Sequence, residues 1–447
     1  MATNPKPPGV YVTERSSGVR MIVGVGTSTP AFLGYTKLSD VPPPERPTPP
    51  FTVDQRIIPQ PINGWQEFVD RYSIKELGDE LAALLKKQKD GTLASGDLQK
   101  IQVLQRCFTL AEAVYGFFAN GGTSCYVVGF LNPDAVVTDT GLGGDAEART
   151  GLGGLETVPE VTMVAVPSLW DMTVAATDAA APPPPVLPTG KVLIDKVLAH
   201  CTQLRNRLAV VDAPPGQLVE PLKTFVDDQL ASPDSVDAEF TALYYPWVEV
   251  AGVDGVRRTV PPSGHLAGVW ARTDSERGVF KAPANQNLRG VLSIPTLLTD
   301  DQNGALNDKG VNCLRVFPGR GLLVWGARTR SSSRDWKYLN VRRLVSFLSD
   351  SIRQSSTWAV FEPNDDRLWA TLRHSVVSFL TDQWRQGALL GRTPDEAFYV
   401  ICDRTNNLPE TIDAGKVICD IGVAPVRPAE FVHFTITQIA GQPGQSS

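Results

Sequence analysis

His200, Asp212, Ser263 and His265 are the residue types of a hydrolytic triad. Such a triad needs an acid to hold an imidazole and an imidazole to take the serine proton. Asp212 ends the apolar run LAVVD, His200 ends a helical pattern, and Ser263 stands in PPSGH. The context argues against catalysis. Ser263 follows two prolines instead of opening a helix in a GTSMA-like turn, and His265 comes only two residues after it. Asp300, Asp301, Asn303 and Asp308 offer calcium-type oxygens without the spacing of an EF-hand loop, so a solvated turn is expected there. GLGG occurs twice, at 141–144 and 151–154, with acidic flanks and no strand–loop–helix frame. A phosphate cradle needs that frame, so these read as flexible surface loop. No GxxxxGK[ST] motif occurs. The histidines His200, His265, His374 and His433 are scattered, and the six cysteines include no CxxC. Buried, reduced thiols are therefore expected, and no zinc site. Glu362, in FEPND, is expected to pair with an arginine or to cap the following helix. Trp325, Trp336, Trp358, Trp369 and Trp384 are expected to pack in cores. No catalytic, cofactor or metal residue is assigned.

These residues sit on a chain of 447 positions, too long for one ordinary core. Hydrophobic residues make up 42% and charged residues 20%, values of a soluble globular protein. A net charge of −6 argues against general nucleic-acid binding, which needs a basic surface. No apolar run approaches the ~20 residues of a membrane span. MATNPKPPGV carries no apolar leader, so the protein is expected to be made and kept in the cytosol.

The first twenty residues form a proline-containing arm whose β-prone run is Val10, Tyr11, Val12 and Thr13. Residues 21–25 and 31–35 read as short strands, and residues 41–50 (VPPPERPTPP) as a polyproline-like loop. Helical spacing returns between Ile74 and Phe118. Further on, apolar strands at 124–128, 161–167 and 208–212 alternate with helical patterns at 191–204 and 216–230. That alternation predicts a mainly parallel sheet with helices on its faces. Two amphipathic helices follow. One carries Val341, Leu344, Val345, Leu348 and Ile352, with Arg342 and Arg343 off the apolar face. The other carries Leu368, Leu372, Val376, Phe379 and Leu380, opened by Asp365 and Asp366. Thr393–Glu396 has the composition of a capping box, and 398–402 and 417–421 read as strands. At the end, Val432, Phe434 and Ile436 alternate with polar residues after two prolines. Both chain ends are thus β-prone segments too short to be stable alone, and such segments gain their hydrogen bonds by adding to another chain's sheet.

Between Asn312 and Gln438 the chain reads NCLRVFPGRGLLVWGARTRSSSRDWKYLNVRRL, VFEPNDDRLW, WRQGALLGRTPDEAFYVICD and IGVAPVRPAEFVHFTITQ. In this order these strings resemble the C-terminal domain of the sheath protein of contractile phage tails and contractile injection systems. The resemblance continues upstream in PGVYVTE, STPAFLGYT, FFANGGTSCYVV, YYPWVEV and PPSGHLAGVWARTDSERGVFKAPAN. It implies a multidomain protein of α/β and α+β class, with a middle domain of subtilisin-like topology and extended terminal β-arms. The expected divisions are an arm at 1–20, an α/β region at 21–130, the middle domain at 131–311, the C-terminal domain at 312–426 and a linker strand at 427–447. The implied protein is a structural subunit, not an enzyme. It forms stacked sixfold rings around an inner tube and contracts to drive the tube through a cell envelope. Its partners would be further copies of itself, the tube protein, a baseplate and a terminator or cap, with no nucleic acid and no membrane insertion. The particle would be a phage tail or a released extracellular device, and the lack of long insertions leans towards an injection system. Val10–Thr13 and Val432, Phe434 and Ile436 would exchange between subunits, and Arg367, Arg373 and Arg385 would meet tube carboxylates. The alternatives are a hydrolase on the same fold or a static capsid- or baseplate-like protein.

Overall fold

The computed structural model describes residues 21–37, 56–180 and 184–430. They divide into two compact units, residues 28–343 with 426–430 and residues 21–27 with 344–425.

The larger unit holds twelve strands: β1 (Pro30–Tyr35), β2 (Gln60–Ile62), β3 (Cys125–Phe130), β4 (Met163–Ala165), β5 (Leu208–Asp212), β6 (Thr241–Tyr245), β7 (Val248–Val250), β8 (Arg258–Val260), β9 (Gln286–Asn287), β10 (Val291–Ser293), β11 (Val311–Phe317) and β12 (Gly321–Trp325). Nine of them make one sheet in the order β2-β3-β1-β4-β5-β6-β11-β12-β9, and β10-β7-β8 make a small second sheet. From β3 to β11 every neighbour is parallel, and only the rims are antiparallel. The alternating strand and helix patterns predicted this layout. Every residue of β1, β5 and β6 is buried. Successive side chains point to opposite faces, so both faces of the sheet centre are covered.

Helices Asp97–Ala119 and Ser263–Arg277 pack closely together over this sheet. Glycine permits the approach. A Cβ on Gly264 would lie 2.1 Å from the Ala113 carbonyl oxygen, and one on Gly268 would lie 2.5 Å from that of Phe117. The GLGG repeats are not a flexible loop. They form two short helices, Asp139–Gly143 and Gly151–Leu155, which bury Leu142, Leu152 and Leu155. Gly144 joins them at φ +62°, where any side chain would strike the Thr150 backbone. Nor is the Asp300 cluster a solvated turn. It is the helix Asp300–Asp308, capped by Thr299, with Asp300 paired to Arg315 at 2.7 Å. Residues 130 and 311, expected divisions, both fall within the span of the large sheet. Parallel neighbours come from distant segments, so no local change in composition marks the sheet's limits.

The smaller unit contains most of helix Leu339–Ser355, helix Asp366–Arg385, and a sheet of two strands, β13 (Phe398–Ile401) and β14 (Asp420–Val423). Asp365 caps the second helix as its acidity predicted, accepting from the Arg367 and Leu368 amides at 3.0 and 2.9 Å. Glu362 is exposed and takes no part in that cap. The capping box at Thr393 does not form. Glu396 accepts instead from the Arg392 amide at 2.8 Å. Residues 21–25 form no strand. They run extended along helix Leu339–Ser355, where Ser355 and Ser351 accept from the Val23 and Val25 amides, each at 3.1 Å. Serine hydroxyls replace the ladder that this apolar segment would otherwise need.

Candidate functional site

Ser263 and Asp212 do meet. Contrary to the expectation from its two prolines, Ser263 opens a helix, Ser263–Arg277, with Pro262 as its N-cap, and its amide donates to Asp212 Oδ1 at 2.9 Å, tying that helix start to the end of β5. Burial raises the Asp212 carboxyl to about 7, against the opposing pull of the Ser263 contacts. Among the described residues no histidine completes the set. His200 lies 3.3 Å from Arg207, the residue before β5, whereas Asp212 ends that strand. At ~3.3 Å per residue the two lie at opposite ends of β5, about 16 Å apart along the strand. His265 shares a helix with Ser263, but neither of its ring nitrogens finds a partner. Burial lowers His265 to about 4, and burial with Arg207 lowers His200 to about 3, so both are neutral imidazoles. Ser263 is fully buried, and the cavity beside Asp212 measures about 10 Å³, near the limit for one water. A peptide carbonyl has no route to Ser263 Oγ.

The smaller unit presents the opposite situation, a sheet left unfinished. β13 and β14 pair antiparallel from Phe398↔Val423 to Ile401↔Asp420, and among the described residues neither has another neighbour. Tyr399 is 58% and Ile401 40% exposed, and no residue of β14 is buried. One side is covered by helix Asp366–Arg385, where Leu368, Trp369 and Leu372 pack with Cys402. Just past β14, Leu389 bridges Pro425 and the Leu390 amide donates to the Ala424 carbonyl at 2.7 Å, while the rest of both edges is left without a strand neighbour among the described residues. Two strands are marginal alone, and such open edge positions invite incoming strands. Sequence patterning marked both segments as strands, although the second is shifted from 417–421 to 420–423. It could not show that they pair only with each other.

The predicted arm residues Val10, Tyr11, Val12, Thr13, Val432, Phe434 and Ile436 lie outside the described residues, but the roots of both arms are visible. On the N-terminal side, the root is residues 21–25 on Ser351 and Ser355. On the C-terminal side, within the larger unit, Asn340 Nδ2 donates to the Val426 carbonyl at 3.1 Å and Arg328 grips Glu430 through Nε and Nη2. Sequence reading missed Glu430 as an anchor. Its only signal was an acid placed just before the alternating strand.

Arg367, Arg373 and Arg385 are all exposed on helix Asp366–Arg385. With ~100° per residue, Arg367 and Arg385 share one face while Arg373 stands roughly 120° away. Arg373 approaches Asp403 at 3.6 Å, and Arg385 approaches Asp382 at 3.5 Å. His374, one of the scattered histidines, shares the exposed face of Arg367 and Arg385.

Two adjoining family models match the chain, the phage tail sheath protein central domain over residues 195–330 and the phage tail sheath C-terminal domain over residues 331–439. The chain belongs to the contractile tail sheath family. Solved structures similar to it include a chain of the anti-feeding prophage baseplate, sixfold symmetrised. That chain is 26% identical with a TM-score of 0.68, and the match covers 98% of this chain and 100% of that one. The PVC sheath complex of an extracellular contractile injection system, solved in its contracted state, is 26% identical with a TM-score of 0.65, covering 98% and 99%. The tail sheath protein of Vibrio phage KVP40 is 28% identical over 179 residues, which is 39% of this chain but 26% of that relative. The alignment thus spans about a quarter of this phage sheath protein, whereas the two solved chains match over nearly their whole length.

Proposed function

We propose that this chain is the subunit of a contractile sheath, polymerising as stacked sixfold rings around an inner tube and contracting to drive that tube through a cell envelope. The observation that carries the reading is the bare β13–β14 pair with its exposed Tyr399 and Ile401. Strands from neighbouring copies complete that sheet, the N-terminal one through Val10–Thr13 and the C-terminal one through Val432, Phe434 and Ile436. A contact of this heterologous kind propagates into rings and helices rather than closing as a dimer. The rooted arms act as hinges, and the units move as rigid bodies when the sheath contracts. Contraction draws on free energy stored at assembly, without a nucleotide. A baseplate and a terminal cap bound the polymer, and residues 366–385 face the tube. The near full-length match to the sheath of an extracellular contractile injection system favours a released extracellular particle over a phage tail. Among the described residues no helix is long and apolar enough to cross a membrane.

Truncation tests the reading directly. A chain ending at Glu430 keeps the Arg328 anchor and loses only the proposed strand. It should remain folded by circular dichroism and fail to sediment as tubes. Normal tubes from that chain would overturn strand exchange as the link between subunits.

A further inference from the structure

Cys402 and Cys419 lie next to one another at the end of the unfinished sheet. The β13–β14 register pairs Ile401 with Asp420, so the next pair in step is Cys402 with Cys419. Their side chains meet in the small core around Trp369. The ladder holds them from one side and an amide clamp holds them from the other. Asn406 Nδ2 bridges the Ile401 carbonyl at 2.8 Å and Asp420 Oδ2 at 3.1 Å. Asn407 exchanges two hydrogen bonds with the Ile418 backbone, at 2.9 and 2.7 Å. Antiparallel partners stand about 4.5–5.5 Å apart between Cα atoms. A disulfide spans about 4.4–6.8 Å, so the backbone already has the required separation. Both thiols are free in this structure.

We infer that Cys402 and Cys419 form a reversible cross-strand disulfide, an oxidative staple across the mouth of the acceptor sheet. The inference rests on the sheath reading only for what the staple does there, not for its formation. The two thiols differ in a useful way. Cys402 is 1% exposed, while Cys419 is partly open to solvent. Only Cys419 can be reached by an oxidant from solvent, and a thiolate formed there stays next to the buried Cys402 sulfur. Cys419 is therefore the attacking thiolate and Cys402 the resolving thiol. The oxidant is a low-molecular-weight disulfide such as glutathione disulfide. Cys419 sulfur bonds to one glutathione sulfur, the glutathione S–S bond breaks, and one glutathione leaves as the thiol. Cys402 then attacks the Cys419 sulfur and expels the second glutathione, again as a thiol. The protein loses two hydrogens and the disulfide is reduced to two thiols. In a reducing thiol pool the staple stays open, and in an oxidising medium it closes. Closed, it holds the register of β13 against β14 while neighbouring strands pull on them.

The test uses the purified full-length chain, reduced and then exposed to glutathione disulfide. Free thiols counted after unfolding should fall from six to four, and peptide mapping should recover 402 linked to 419. Cys402→Ser should instead trap a glutathione adduct at Cys419. Amide exchange at Tyr399 and Ile401 should slow by roughly tenfold or more on oxidation, and not in Cys419→Ser. Six retained thiols, a different pairing, or a glutathione adduct alone in the unsubstituted chain would overturn the disulfide. Unchanged exchange in the linked chain would overturn the staple's role. None of these readouts needs polymerisation. A disulfide that forms in a chain whose Glu430 truncation still builds tubes would sink the strand-exchange reading and leave this inference standing.

Discussion

β5 and β14 are strands of similar length with opposite surroundings. Every residue of β5 is buried, between parallel neighbours on both sides and covered faces above and below. No residue of β14 is buried, and among the described residues its only partner is β13. The first strand belongs to a core that closes on itself. The second, paired on one side only, gains little from folding by itself. Substitutions in the closed region should therefore register as stability, and those in the open region as assembly.

The largest stability effect belongs to the closed unit. Arg343 is bidentate to Asp274 at 2.9 and 2.5 Å, both side chains are less than 5% exposed, and the guanidinium lies 4.7 Å over the Trp270 ring. Asp274→Ala leaves that cation buried without its carboxylate, which costs about 3–5 kcal/mol. Urea denaturation should show the loss. A change under 1 kcal/mol would mean that this unit is less tightly closed than its burial indicates.

Next comes a gain that depends on pH. Burial raises Asp212 from 3.8 to about 7, so the fold keeps a proton there that the unfolded chain has already released. Stability from this group therefore falls as pH rises from about 4 to 7. Asp212→Asn removes the titration and can still accept from the Ser263 amide. It should stabilise the chain by on the order of 2–4 kcal/mol at pH 8 and by little at pH 4. His265 and His200, lowered to about 4 and 3, act with the opposite sign, losing stability as pH falls below 6.5. Their contribution is common to both chains and cancels in the difference. Equal gains at both pH values would show that Asp212 is not held protonated.

In the open unit the same logic inverts. Tyr399→Lys with Ile401→Lys places charges where the side chains already meet solvent, so stability should shift by less than about 0.5 kcal/mol each. Lysine on a sheet edge nevertheless repels incoming strands. The double variant should melt like the parent and fail to sediment as tubes. Parent-like tubes would mean that the β13–β14 sheet is not the acceptor.

Much of this contrast was legible in the sequence. The apolar face of Leu368, Leu372, Val376, Phe379 and Leu380 predicted a helix that is present, because 3.6-residue spacing is a local signal. LAVVD predicted a buried strand for the same reason. What escaped depends on remote partners. Arg342 and Arg343 read as turned away from the core, yet both are buried. Arg342 lies 4.2 Å over the Trp336 ring and Arg343 lies on Asp274, and neither contact has a sequence spacing that announces it. The triad question was settled in the same way. Types alone allowed His200 to join Asp212, and only the position of Arg207 at the far end of β5 separates them. Cys402 and Cys419 read as unrelated thiols because register, not spacing, brings them together.

The smallest expected effect concerns the face of helix Asp366–Arg385, and it sharpens the comparison within the open unit itself. Arg367 and Arg385 stand five turns apart on one exposed face with His374 between them, whereas Arg373 points away and faces Asp403. A tube running along the helix can meet the first two together but not the third. Each exposed charge contributes little alone, but a contact repeated on every subunit along one tube multiplies it. Arg367→Glu with Arg385→Glu should leave thermal unfolding unchanged and lower the yield of extended, tube-filled particles in electron micrographs. Arg373→Glu should not lower that yield, since its charge does not face the same way. If the two substitutions behaved the other way round, the tube would lie against the flank of the helix near Asp403. Unchanged yields in both would place the tube contact on another surface and leave these arginines as ordinary solvated charges.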